Sequence, residues 1–256
     1  MKPIDTHAHL QFEKFDSDRS SVIKRNSNQL LAVINPGVDL DSSEKSLALA
    51  EKIPNFYAAV GIHPHQADNW DGTYLSKLDQ LVQQDKVVAV GEIGLDCYQY
   101  SDYILPSLEK QKQILSMQIE LAQEYKKPIL FHCREAYDEL YKVISKFKPL
   151  KGLIHCFMGD TKTAEKFVNL GLLISFAGNL TYKDNTHMRK AAKELPKEFL
   201  VVETDSPYLS PEPLRGQRNE PLNVKLVIEE IAKEKNLPTD EVADFTGKNA
   251  KKLFGL

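Results

Sequence analysis

Short apolar runs rich in β-branched residues recur eight times along this chain, at residues 3–9, 30–36, 56–62, 87–92, 128–133, 151–157, 172–177 and 199–205. Stretches of helical periodicity separate them. Within 107–125, Leu108, Leu115, Ile119 and Ala122 share one helical face, and within 221–234 Val224, Val227, Ile228 and Ile231 do the same. These spacings follow the 3.6-residue period and read as stripes packed on a core. Strand alternating with helix this many times predicts an α/β fold, a (β/α)8 barrel of the TIM type. A doubly wound open sheet is the rival architecture. The 256 residues suit one barrel domain spanning 1–256, and no low-complexity stretch or linker divides them. The Pro-rich segment "DSPYLSPEPLRGQRNEP", residues 205–221, reads as a long ordered loop after the eighth strand.

A barrel of parallel strands opens all its strand C-termini onto one face, where active sites are built. Six of the seven histidines, His7, His9, His63, His65, His132 and His155, fall in or just beyond the C-terminal end of a predicted strand, and His187 alone lies in a helical stretch. Histidines scattered through a core would not gather on one face. In "IDTHAHLQ", residues 4–11, His7 and His9 stand two apart. On a strand such residues point the same way, with Cα atoms about 6.6 Å apart at roughly 3.3 Å rise per residue, so both imidazoles can reach one metal ion. Two acids join them at strand ends, Glu92 in "VVAVGEIGLD" and Asp205 in "FLVVETDSP". Their plainer readings are a solvent-facing acid for Glu92 and a turn or helix cap before Ser206-Pro207 for Asp205.

Period-two geometry sorts the neighbours. It predicts Asp5, His7 and His9 on one face of the first strand and Ile4, Thr6, Ala8 and Leu10 on the other. It sets Leu130 and His132 against Ile129, Phe131 and Cys133, and His155 against Cys156. Cys133 and Cys156 are therefore expected to face the helices as packed thiols. Glu203 lies one step below Asp205 on the same face, and Asp5 one step below His7, which suits both to orienting ligands rather than binding metal.

Imidazole and carboxylate are ligands of Zn²⁺, Mn²⁺ and Fe²⁺, and carboxylates with water also hold Mg²⁺. Four histidines and two carboxylates exceed the roughly three protein ligands of one catalytic ion. They suit two divalent ions, Mg²⁺, Mn²⁺ or Zn²⁺, sharing a carboxylate. Such a pocket stays positive after Glu92 and Asp205 are counted, which favours an anionic substrate and a metal-dependent hydrolase, with a phosphoester plausible. Arg134, Arg215 and Arg218 are candidates for phosphate contact, with exposed surface charge as the alternative. His63 and His65 in "VGIHPHQ" are candidate substrate contacts, with loop packing beside Pro64 as theirs. Tyr98 and Phe157 have the ring faces for base stacking but read first as packed aromatics.

Composition sets the outer bounds. The chain is 42% hydrophobic and 27% charged, ordinary for a globular protein. Its net charge of −3 argues against a protein-wide electrostatic grip on nucleic acid, though not against a local basic site. No apolar run approaches the roughly 18 residues of a membrane span, and the opening Met1-Lys2-Pro3 leads straight into the first strand without a cleavable signal. Cys97, Cys133 and Cys156 show neither a disulfide framework nor a zinc-binding C-x-x-C. A cytoplasmic location is expected, with no membrane association and no obligate protein partner.

The motifs "DTHAHL", "GIHPH", "GEIGLD", "HCREA", "HCF" with Gly159, "ETDSPYL" and "RGQRNEP", taken in order, resemble the TatD family of metal-dependent deoxyribonucleases, a branch of the amidohydrolase-like barrels. "LPTDEVADFTGKNAKKLF" resembles the family's closing helical segment. The resemblance implies a (β/α)8 barrel with two divalent ions, the first held by His7, His9 and Asp205, the second by His132 and His155, with Glu92 bridging. It makes Asp205 the natural proton acceptor for the attacking water. The implied activity is hydrolysis of DNA phosphodiesters, often 3′ to 5′ from the ends of single strands. Glu135 stands where Asp is common, and Cys97 where an aromatic residue is frequent. Neither touches an implied ligand. A second enzymatic reading keeps the metals but cleaves another bond, such as the ester of a D-aminoacyl-tRNA or a cyclic amide. A non-catalytic metal-binding protein would leave the poised acid unexplained.

Overall fold

The computed structural model describes residues 2–256. Its strands are β1 (Ile4–Asp5), β2 (Ala32–Pro36), β3 (Phe56–Val60), β4 (Val87–Asp96), β5 (Ile129–Arg134), β6 (Gly152–Ile154), β7 (Leu173–Phe176) and β8 (Leu200–Val202). They form one parallel sheet in sequence order. The sheet closes between its first and last members: Thr6 N donates to Val202 O at 3.2 Å, Asp205 N to His7 O at 2.9 Å and His9 N to Ser206 O at 2.7 Å. A closed ring removes the unpaired edges an open sheet would leave, so the fold is the (β/α)8 barrel and the doubly wound alternative is excluded.

Helices α1 (Arg19–Ser27), α2 (Leu40–Lys52), α3 (Tyr74–Val82), α4 (Leu108–Glu124), α5 (Tyr137–Ile144), α6 (Thr161–Val168), α7 (Thr186–Glu194) and α8 (Val224–Lys235) follow the strands, and α9 (Thr239–Phe254) ends the chain. Several start on side-chain caps that satisfy otherwise orphaned N–H groups. Asp39 accepts from Ser42 N at 2.7 Å on α2, and Asp160 accepts from Thr163 N at 2.8 Å on α6.

Two apolar layers result. Inside the barrel, every strand contributes to one cluster: Ile4, Ile34, Ala59, Ala89, Leu130, Leu153, Leu173 and Val201. The last turns of α9, through Leu253 and Phe254, plug the same cluster from below. Outside, the opposite strand faces pack on the helices in a larger cluster that includes Ile129, Phe131, Cys133 and Phe157. Burying this much apolar area, at about 25 cal/mol per Å², is the main drive for closure.

The upper ends of the strands depart from regular alternation. Ile4 belongs to the interior cluster whereas Ala8 and Leu10 belong to the outer one. The expected shared face of Ile4 and Ala8 is therefore corrected: a bend at Thr6 switches the parity, and regular pairing in β1 stops at Asp5 instead of residue 9. In β4 the register with β5 shifts between Val90 and Ile93. Such a bulge re-aims a side chain, and here it turns Glu92 toward the axis before β4 runs on to Asp96, four residues past its expected end. A Cβ at Gly94 would run into the His132 carbonyl, so only glycine lets β4 lie flush beside the histidine. β6 and β8 stop at Ile154 and Val202, before their expected ends, and just beyond them Cys156 and Asp205 take left-handed backbone at φ 43° and 54°.

Asp5 ties the seam of the ring. It is fully buried and accepts from Thr204 Oγ1 at 2.6 Å, Thr204 N at 2.9 Å and His7 N at 3.2 Å. It supports the backbone of His7 rather than the ring. Burial pushes its pKa well above the usual carboxylate value, outweighing these donors. A neutral group is thus favoured there, with its stabilising effect full below the unfolded-state pKa and lost as pH rises through the folded one. Asp5→Ala, which orphans the Thr204 donors, is expected to cost roughly 2–4 kcal/mol in urea unfolding, and the neutral isostere Asp5→Asn less than half of that.

Candidate metal centre

Glu92 stands at the middle of the open end of the barrel, and its two oxygens face different histidines. Oε2 is 3.3 Å from His7 Nε2 and 3.8 Å from His9 Nε2. Oε1 is 2.8 Å from His132 Nδ1, 2.8 Å from His155 Nε2 and 3.5 Å from His63 Nε2. On the first side Asp205 Oδ1 lies 3.5 Å from His9 Nε2 and 3.9 Å from His7 Nε2. The facing imidazole nitrogens are 3.1 Å apart in both pairs, His7 with His9 and His132 with His155. Two ligands about 2.1 Å from one tetrahedral ion stand about 3.4 Å apart. The donor sets His7–His9–Asp205 and His7–Glu92–His155 therefore have the spacing a shared cation requires.

The other nitrogen of each ring decides which one is bare. His9 Nδ1 lies 3.1 Å from the Pro36 carbonyl, His155 Nδ1 3.2 Å from Glu203 and His132 Nε2 3.3 Å from Asp96. With those nitrogens donating, His9 Nε2, His155 Nε2 and His132 Nδ1 are the inward positions a cation would take once their protons are displaced. His63 runs the opposite way. Its Nδ1 accepts from His65 N at 3.2 Å, so Nε2 carries the proton and faces Glu92 as a hydrogen-bond donor, not as a ligand. Glu203 is fully buried and also accepts from Cys156 N and Ser175 Oγ, which clamps it beneath His155.

Charge follows the geometry. Burial opposes ionisation of Glu92, but His155, His63 and His7 outweigh it and hold the carboxyl well below its ordinary value. Burial likewise opposes ionisation of Asp205, and the hydrogen bond from His9 together with His7 and His155 brings it down. Burial would lower His155, yet Glu92 and Glu203 hold it well above the usual imidazole range. Burial is also overcome at His132, by Asp96 and Glu92. His7 is lowered by burial and by its neighbour His155.

His9, Glu92, His132, His155 and Asp205 line a cavity of about 640 Å³ together with His63, His65, Asp96, Tyr100, Arg134, Cys156 and Tyr208, and His7 lies buried behind its wall. Cys156 was expected to face the helices, but its left-handed backbone leaves it on the cavity wall. Burial pushes its thiol pKa up. Cys133 packs in the outer cluster, although it too borders the cavity, and Phe157 is fully buried against Tyr137 and Phe176. Arg215 and Arg218 do not line the cavity. Arg218 is held by two 2.7 Å bonds to Asp18 and lies over the Phe15 ring, and Arg215 is exposed over Tyr182.

Sequence reasoning missed Asp96. Its buried carboxylate accepts from His65 Nε2 at 2.8 Å, Tyr100 Oη at 2.9 Å, Tyr98 N at 2.9 Å and His132 Nε2 at 3.3 Å. Beyond the bulge, Glu92, Gly94 and Asp96 alternate along β4, and that period-two spacing was the available signal.

The profile of the family described as "TatD related DNase" matches residues 4–255 of this chain. An uncharacterized metal-dependent hydrolase of Bacillus subtilis, YabD, is 35% identical over 253 residues, covering 98% of both chains. The uncharacterized metal-dependent hydrolase YjjV of Escherichia coli is 33% identical over 257 residues, covering 99% of this chain and 98% of its own. The crystal structure of YjjV, described as a TatD homologue, superposes with a TM-score of 0.92 over 100% of this chain and 98% of that one, at 32% identity. A TatD-family hydrolase from Entamoeba histolytica superposes with a TM-score of 0.88 at 25% identity, over 99% and 98% of the two chains.

A divalent cation bound here has to displace protons from His155 and His132. Both hold their protons above the ordinary imidazole range, so affinity rises with pH as they titrate. Calorimetric titration with Mn²⁺ is expected to show an enthalpy that varies with buffer ionisation heat, and weaker binding at about pH 6 than at about pH 8. An enthalpy independent of buffer would contradict the ligand set.

Proposed function

Because this chain belongs to the TatD family of metal-dependent hydrolases, we propose that it hydrolyses DNA phosphodiesters with two divalent ions, working 3′ to 5′ from the ends of single strands. The observation that carries this reading is the division of Glu92: one oxygen faces His7 and His9, the other His132 and His155. His7, His9 and Asp205 would hold one ion and His132 and His155 the other, with Glu92 shared. The inward-facing imidazole nitrogens and the lowered carboxylates fit Mg²⁺, Mn²⁺ or Zn²⁺. Ions held there supply Lewis acidity and make water acidic enough to lose a proton near neutral pH.

The chain's own groups do the rest. Asp205, lowered in pKa and partly open to the cavity, accepts the proton of the attacking water. His63 lines the same cavity, and its N–H, 3.5 Å from Glu92, is near enough to turn to an oxygen of the substrate once Glu92 is engaged by metal. Ionised Glu92 and Asp205 leave a site with two divalent ions positive, which selects an anion. A cavity of about 640 Å³ takes the end of a strand, not a duplex, which favours an exonuclease. No helix of the described residues is long and apolar enough to cross a membrane. The free thiols of Cys97, Cys133 and Cys156 suit the reducing cytoplasm.

A single-stranded oligonucleotide labelled at its 5′ end is expected to shorten stepwise with Mg²⁺ or Mn²⁺ and to stay intact with a chelator. Asp205→Asn is expected to lower kcat by about 10²–10⁴-fold. If wild-type protein leaves the oligonucleotide intact with every metal but deacylates a D-aminoacyl-tRNA, the deacylase reading replaces this one.

A further inference from the structure

Arg134 ends β5 two residues beyond His132, and it is the one Arg or Lys lining the cavity among the described residues. Arg19, Arg25, Arg189, Arg215 and Arg218 each face a carboxylate within 4.0 Å. Arg134 has no such partner among the described residues. Neither Glu92 nor Asp205 is within that distance, so the guanidinium does not neutralise the carboxylates of the metal centre.

Its place is nonetheless fixed. The guanidinium carbon lies 3.8 Å from the centroid of the Tyr98 ring, and Nη1 donates to Tyr100 Oη at 3.0 Å. Tyr100 Oη in turn donates to Asp96 at 2.9 Å, and the other Asp96 oxygen accepts from Tyr98 N at 2.9 Å. One buried carboxylate thus sets both aromatic supports of the arginine. Of the five N–H donors of a guanidinium, this contact uses one, and no protein carboxylate takes the rest. A stacked, oriented and unpaired guanidinium at a cavity wall is built for a bidentate oxyanion.

We propose that Arg134, held by Tyr98 and Tyr100, is a subsite for a second phosphate of the substrate strand, one that is not cleaved. This rests on the nucleic-acid reading above. The phosphate to be cleaved belongs over Glu92 and beside Asp205, at the β1–β8 side. Arg134 stands at the β4–β5 side of the same cavity, the place the proposal gives to the next phosphate of the strand. The subsite makes the enzyme a reader of phosphate spacing: it favours strands with a neighbouring phosphate over an isolated phosphodiester.

The experiment compares three substrates: the dinucleoside monophosphate of thymidine, with one phosphodiester, and the same molecule carrying an added 5′- or 3′-terminal phosphate. Wild-type protein is expected to favour one phosphorylated form by about tenfold, chiefly in KM. Arg134→Gln is expected to bring that preference to within about twofold, and Arg134→Lys, which keeps charge but loses the fork, to fall between. Thermal melting of each variant checks its folding. Dissociation constants for the three compounds are measured in parallel on Asp205→Asn protein, with and without Arg134→Gln. If neither these compounds nor the longer oligonucleotide is cleaved but the binding preference persists and depends on Arg134, the nuclease reading fails and the subsite stands. A preference absent from wild-type protein, or unchanged in Arg134→Gln, overturns the subsite.

Discussion

A carboxylate buried among imidazoles organises the upper half of this barrel. An isolated Glu92 in a low-dielectric interior would be driven to its neutral form. It stays ionised because His7, His63, His132 and His155 surround it. Of those rings, His132 is held from behind by Asp96 and His155 by Glu203, as neighbouring His9 is by the Pro36 carbonyl. The bulge in β4 is the backbone counterpart of this arrangement, since it brings the Glu92 side chain to the axis. Gly94 then lets β4 lie close enough to β5 for His132 to meet that carboxylate.

Beneath this ring lies a polar layer that the apolar interior supports. Thr6 Oγ1 bonds the Val202 carbonyl at 3.1 Å and lies 3.3 Å from Ser175 Oγ, while Ser175 donates to Glu203. Asp5 and Thr204 close the same level across the β1–β8 seam. Buried polar groups of this kind are tolerable only when bonded nearly throughout. Six buried side-chain atoms lack a partner among the described residues, and one of them belongs to the ring of histidines. His7 Nδ1 is buried without a partner among the described residues. His7 is instead positioned by His9 and Glu92 at Nε2 and by the stacked His155 ring at 4.0 Å.

Much of this was legible in the residues. Alternation of β-branched runs with helical stripes gave the barrel, and histidines at strand ends gave the open face. What alternation misjudged lies where the backbone leaves the strand. The parity switch at Thr6 separates Ile4 from Ala8, and left-handed backbone at Cys156 turns a supposed packed thiol onto the cavity wall. Non-glycine residues adopt that conformation only when their surroundings impose it, so no local pattern announces it. Arg215 and Arg218 carried the right charge but not the right address. Arg218 is committed to Asp18 across 200 residues of chain, a pairing that local sequence does not display. Asp96 escaped notice for a related reason: its role depends on His65 and Tyr100 arriving from loops after different strands.

The plug formed by Leu253 and Phe254 has a consequence for traffic. With the lower mouth of the barrel stoppered by α9, the vessel has a single doorway. On the reading proposed above, a fragment cut at this site would leave by the route along which it entered, past Tyr208 and Arg134 on the cavity wall. Departing fragment and incoming molecule therefore queue at one threshold, and the rim that captures the second also delays the first.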